Sequence, residues 1–510
     1  RQTAQIDSLQ GTISGEVTVE QCFNERRAFR LLSASTTTNS SIRNNWQEGV
    51  NNTGLNFPED NLNPNPGFGT HITGSMLGDN GFDATPTGNP SLFSYDHSDQ
   101  SWHALSNTNT NTLTVGTALR LMIRGDRSID LTSTSATPTV TKLRSKGTIA
   151  KGPITASWPA IDLANPFVFI GNPFHAQIDM DMVLSATNNF SQNYVVWDPN
   201  LGGTAIPGQP GGRGAYVTIN VNDNNNSNND SAFNKYLQPY QAFFVKAHTS
   251  SPSLTFQESH KAVDNIQTQV FNENTSPHFI RIKLYDDLSY NNNDTSDDGL
   301  VLYFSSDWSN TVNDQDAIKF FNIDENIARI ENNHYLSYEK RALPIDGEVL
   351  SLFIDQYRSA SYTFEIEVGD FQNQNLVLYD KHTEIEITLN QNSINTYNFS
   401  VDESIPESIS SNRFELKFEG HLGLNNLEKH NLFVYPNPVD DRLYINRIEE
   451  LTSIISVNIY DINGRPIKSF DFDKENSGRF EINVKNLSSG VYLIKIITED
   501  NQFNKKIIVE

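Results

Sequence analysis

The chain runs to 510 residues, too many for a single hydrophobic core, and ordinary domain sizes divide it into about three. Its formal charge of -24 and the absence of basic stripes argue against nucleic acid or an anionic membrane as partner. Hydrophobic residues make up 36% and charged ones 19%; Asn, Ser and Thr fill the balance and suit turns and short strands, so an all-β protein is expected. The lone Cys22 leaves no room for an internal disulfide framework and reads as a small buried hydrophobe. No apolar run reaches the roughly 18 residues needed to cross a bilayer, and Arg1 to Gln10 lack the features of a signal peptide.

Short strands are predicted around Val17, Val19 and Cys22 and around Phe29 to Leu32, followed by a long Asn/Gly/Pro-rich face from 39 to 89. Strand patterning resumes at Phe93-Ser94-Tyr95-Asp96, Trp102, Leu113 to Val115 and Leu119 to Ile123. It continues at Phe167 to Ile170, Tyr194 to Trp197, Tyr216 to Ile219, Gln241 to Ala247 and Leu254 to Phe256. A second β-unit spans 263–422, with runs at Phe279 to Leu284, Gly299 to Phe304, Leu350 to Ile354, Tyr362 to Val368, Leu376 to Asp380 and Phe414 to Phe418. Runs alternating apolar and polar at this spacing fit β-sandwiches of immunoglobulin-like or jelly-roll-like kind in tandem. The window from Asp314 to Ile330 is the one helix-like stretch, although one or two short turns fit it equally well. The predicted divisions are 1–262, 263–422, a linker at 423–430, and a tail at 431–510.

Two acidic-amide loops, Asn222 to Asp230 and Asn291 to Asp298, carry oxygen donors of the kind calcium takes. Neither has the spacing of a known calcium loop. Within the second loop and just beyond it, Asp294, Asp297, Asp298, Asp314 and Asp316 are the candidate ligands, and calcium is the one cofactor considered. Arg124-Gly125-Asp126 has the form of an adhesive tripeptide, while its glycine also suits a plain turn. His71, His97 and His103 read as turn and surface residues. No nucleophile elbow, zinc motif or phosphate loop is present, so no enzymatic activity is expected of this chain; a glycosidase-type carboxylate pair would leave no local signature. The five Trp, 18 Tyr and 30 Phe are mostly core by position, and an aromatic platform on a β-sandwich could stack on sugar rings.

The tail holds the most specific pattern. Tyr435-Pro436-Asn437-Pro438 leads in, Asp461-Ile462-Asn463-Gly464 turns, Leu487-Ser488-Ser489-Gly490-Val491-Tyr492 opens a β-forming run, and Lys505-Lys506-Ile507-Ile508-Val509 closes the chain. This order resembles the type A C-terminal sorting domain of proteins exported by the type IX secretion system of Bacteroidota. The resemblance implies a small seven-stranded sandwich. It implies recognition by the outer-membrane translocon and its shuttle protein, removal by a surface sorting peptidase near 420–430, and coupling to an anionic lipopolysaccharide. Pro436, Asn437, Pro438, Gly464, Gly490, Tyr492, Lys505 and Lys506 are the residues assigned to the signal. The expected protein is therefore secreted and held at the outer-membrane surface. As such export begins with a signal peptide, the chain is expected to be the C-terminal part of something longer.

Upstream, Ile123 to Arg127, Phe169 to Phe174, Trp197-Asp198-Pro199 and Gln241 to Val245 together resemble a region of large Bacteroidota surface proteins, over roughly residues 25–260. That resemblance implies an adhesin-like location and no activity. The cargo is accordingly read as adhesin or ligand-binding modules, with a glycan or other surface ligand. The alternative is the accessory region of a secreted, polysaccharide-active hydrolase whose catalytic domain precedes Arg1.

Overall fold

A computed structural model describes residues 4–133, 136–203, 214–263, 277–371, 374–420, 432–447, 454–461, 464–472, 479–498 and 502–510. The protein is all-β, its described helices being short turns such as Ile42–Trp46, Met180–Ser185 and Asp287–Asn291. Contacts divide it into two compact units, one from residues 1–371 and 376–418, the other from 372–375 and 419–510. The expected linker at 423–430 lies outside the described residues.

In the first unit, a four-stranded sheet runs in the order Ala28–Ser33, Ala118–Ile123, Leu92–Asp96, Ser101–Ala104. A five-stranded sheet has Ala242–Ala247 between Phe167–Gly171 and Phe190–Asp198. Phe243 and Val245 face one core, with Val168, Tyr194 and Leu254. On the opposite face Phe244 meets Phe169, Tyr216 and Leu31. Apolar residues on both faces explain why these strands read as continuous hydrophobic runs and not as alternations.

Residues 277–418 build an eleven-stranded sheet folded over its own core, which includes Ile280, Ile282, Leu284, Leu302, Leu352, Ile366, Leu378, Phe414, Leu416 and Phe418. One strand makes the corner. In Val349–Asp355, Val349 to Ser351 pair with Glu415 to Lys417, whereas Leu352 to Asp355 pair with Asn326 to Arg329. A strand that changes partners along its length joins two layers without a loop.

The helix-like window is not a helix. Ala317 and Ile318 pair with Tyr338 and Leu336, and Asn326–Glu331 is a strand. Between them the Asn326 side chain bonds both the N–H and the carbonyl of Asn322 and fixes the turn. Phe320 leaves the local pattern to pack 4.5 Å from Phe244 and 4.6 Å from Tyr216 between ring centroids. Thr218 also meets Ser337 at 2.9 Å, and the Tyr338 hydroxyl donates to Asp223 at 2.7 Å. Segments 1–262 and 277–418 thus keep separate sandwich cores inside one compact unit.

The second unit is a seven-stranded sandwich. Leu432–Tyr435, Arg442–Arg447 and Arg479–Asn483 form three-stranded order; Pro466–Asp471, Ile454–Asp461, Gly490–Thr498 and Gln502–Val509 form four-stranded order. Leu443, Ile445, Val457, Ile459, Ile482, Ile494, Ile496 and Ile507 are fully buried between them. Each such side chain contributes about 1.5–3 kcal/mol by leaving water.

Candidate functional site

The acidic loops serve the fold. Asp230 accepts bonds from Lys283, Tyr285 and the Ser296 N–H, and Asn228 donates to the Ser296 hydroxyl, so the two candidate calcium loops lock onto each other. Asp294 accepts from the N–H of Thr295, and Asp297 from that of Asp286. Asp298 is buried against Lys319, with Nζ 2.5 and 2.6 Å from its two oxygens. Asp314 faces His248 at 3.2 Å, and Asp316 accepts from the N–H groups of Asn313 and Lys340. The five candidates are not brought to one point. In the tripeptide, buried Asp126 accepts from Gly67 N–H at 2.6 Å, Ser128 N–H at 3.0 Å and the Thr139 hydroxyl at 3.0 Å. Its carboxylate is spent on holding three chain segments together, so the tripeptide does not present it to a receptor.

A different constellation sits on the hairpin Leu92–Asp96 and Ser101–Ala104. Asp96 accepts from the Ser98 hydroxyl and N–H, and Asp99 repeats this with Ser101, so each carboxylate closes its own turn. These bonds, Ser98 to Asp96 and Ser101 to Asp99 foremost, hold both carboxyls below their ordinary range. His103 Nε2 lies 2.8 Å from Asp99 Oδ2. Among the described residues, Asp96, Asp99 and His103 are the one His/Cys/Asp/Glu set whose ligand atoms all fall within 4.8 Å, and they are the residues that could hold a divalent cation. His103 is exposed, as the reading of it as a turn or surface residue expects, and its contact with Asp99 is local, four residues apart on one hairpin.

Beside this set opens a surface hollow of about 390 Å³, walled by Tyr95, His97, Trp158 and Ile161 and rimmed by Asp96 and His103. Tyr95 is held edge-on by Trp102 at 5.2 Å and Phe244 at 4.9 Å. His97 Nε2 accepts the Phe169 N–H at 3.0 Å, which leaves the ring proton on Nδ1. Burial lowers the pKa of His97, so the ring is neutral at pH 7.

The tail places its signal residues as follows. Pro436 and Pro438 flank Asn437, whose Nδ2 donates to the Lys506 carbonyl at 3.1 Å and whose Oδ1 accepts the Ile508 N–H at 2.8 Å. Val439 continues the contact, donating to the Ile508 carbonyl and accepting from Glu510 N–H. The segment after strand Leu432–Tyr435 thereby seals the outer edge of the last strand, whose unpaired groups would otherwise invite another chain. Gly464 has φ +75°, the left-handed turn position expected of it. Gly490 does not: it starts a strand opposite Val509 in ordinary extended backbone, and a Cβ there would have room. The Tyr492 hydroxyl donates to the Ser488 carbonyl, and on the last strand Lys505 is half-buried and Lys506 exposed. Asn437→Ala is expected to speed hydrogen exchange at the Ile508 amide by about two- to tenfold while Ile494 stays protected, as one net hydrogen bond to an edge amide, worth about 0.5–1.5 kcal/mol, is lost.

The chain is an all-β cargo followed by a small terminal β-sandwich. The family described as secretion system C-terminal sorting domain matches residues 433–510; the tail is a type IX sorting domain, and it marks the protein for export and attachment at the cell surface. The family described as domain of unknown function (DUF8693) matches residues 81–418, and the chain belongs to it. No curated protein matches. Among solved structures, a chain described as a polysaccharide lyase is similar at 10% identity and TM-score 0.14, over 46% of this chain and 39% of that one. One described as a biofilm associated protein, BSP domain, is similar at 11% identity and TM-score 0.13, over 82% and 56%. The chain thus spans well under two thirds of either, and at these scores neither likeness carries an argument.

Proposed function

We propose that the cargo is a non-enzymatic, adhesin-like binding module for a surface glycan, carried outside by the sorting tail. The observation that supports this reading is the hollow beside the Leu92–Ala104 hairpin. Trp158 and Tyr95 offer apolar ring surface to the C–H face of a sugar, while His97, Asp96 and His103 supply a donor and acceptors for its hydroxyls. No cofactor is part of the proposal. In the same reading the translocon's shuttle handles the folded tail and a surface peptidase removes it near 420–430, so C-terminal peptides should be missing from mature surface protein.

A glycan array probed with the full chain tests the binding. Trp158→Ala should weaken capture by about tenfold, as a stacking contact beyond simple burial is worth about 0.5–1.5 kcal/mol. Equal capture by wild type and variant, or no glycan captured by wild type, would overturn the reading.

A further inference from the structure

We propose that the secretion machinery grips the folded tail on the outer face of its four-stranded sheet, a deepening that rests on the tail's role as export signal. The inner face of that sheet fills the core through Ile494, Ile496, Ile507 and Val509. The opposite face of such a sheet is ordinarily polar. Here Val491, Leu493 and Ile508 are 40%, 39% and 37% exposed. Register makes them one patch: Val491 stands opposite Ile508, and Leu493 opposite both Lys506 and Tyr460. Lys495, two residues along the same face, and Lys506 flank the apolar centre with positive charge. Clustered apolar side chains left facing water mark an interaction surface.

The mode of contact follows from the edge. Of the sheet's two edges, Gln502–Val509 is already taken along Lys506 to Glu510 by Asn437 and Val439, and Pro466–Asp471 opens on a proline that has no N–H to offer an added strand. The face remains. Its complement is an apolar platform rimmed by carboxylates. Residues 1–430 carry 27 Lys and Arg against 49 Asp and Glu, whereas 431–510 carry 10 against 12. The net charge is thus -22 on the cargo and -2 on the tail, so an acidic receptor is repelled far less at the tail, where the two lysines give it a local point of attraction.

The test uses the full chain in a type IX-competent host, measuring the exported fraction against the fraction retained inside. Lys495→Glu with Lys506→Glu reverses the flanking charge at solvent-facing positions; Leu493→Ser with Ile508→Ser removes the apolar centre; Lys485→Glu, off this face, is the comparison. Protease resistance of the tail reports its folding in each case. At least a tenfold fall in export for the lysine pair, with a folded tail and normal export of Lys485→Glu, is expected. Should the serine pair misfold, the lysine pair decides. Wild-type export of the folded lysine pair overturns the proposal. Deletion of 431–510 separates the two readings: if export survives deletion, the export-signal reading fails, and if only deletion stops export, the face alone is excluded.

Discussion

Replacing Arg127 with Met is expected to destabilise the cargo unit by about 3–5 kcal/mol, because it strands a buried carboxylate. Asp83 is wholly buried, and the Arg127 guanidinium grips both its oxygens at 2.8 and 3.1 Å. Gln47 and the N–H groups of Asn52 and Ile72 complete the shell, and His71 lies 3.3 Å away. Burial by itself raises the Asp83 pKa, but His71 and Arg127 together hold it well below its ordinary 3.8. The folded value is the lower one, so this stabilisation is full above the unfolded value and is lost as pH falls through the folded one. Chemical denaturation at pH 7 should show the lower midpoint, and an acid titration should show the variant unfolding at higher pH than wild type. An unchanged midpoint would mean that the carboxylate is not paired as described.

Ile494→Ala should act on the other unit. Ile494 is fully buried at the centre of the sorting module, and truncating such a residue costs about 2–5 kcal/mol. A module of roughly 80 residues has little more than that in reserve, since small domains lie near the lower end of the 5–15 kcal/mol range. Denaturation followed by hydrogen exchange should show Ile507 and Val457 amides losing protection while Leu302 and Phe243 keep theirs. Export should fall in step with the folded fraction of the tail. Full export with an unfolded tail would show that the machinery reads linear sequence.

The tail was legible because its signals are local: proline pairs, a glycine at a left-handed turn, and strict period-two strands in fixed order. The function of Asn437 was not, since its partners Lys506 and Ile508 lie about seventy residues away. The same limit applies in the cargo. Asp298 looked like a ligand in an acidic loop because Lys319, which neutralises it, stands beyond a stretch with no pattern of its own. Arg124-Gly125-Asp126 reads as a plain turn as readily as an adhesive tripeptide, but nothing local foretells that Gly67 and Thr139 converge on Asp126. Phe320 suggested helical spacing, whereas its place was set by Phe244 and Tyr216 of a sheet formed much earlier in the chain. Strand existence follows from side-chain alternation; the use made of polar groups follows from which strands meet.

The corner strand Val349–Asp355 also governs how the cargo fails under load. Its first half is stitched to Glu415–Lys417 and its second to Asn326–Arg329. Neither layer can peel away without dragging the backbone bonds of the other into shear, so a tug on the exterior is resisted by both ladders at once. For a protein attached at a cell surface, that arrangement couples the two layers into one mechanical element.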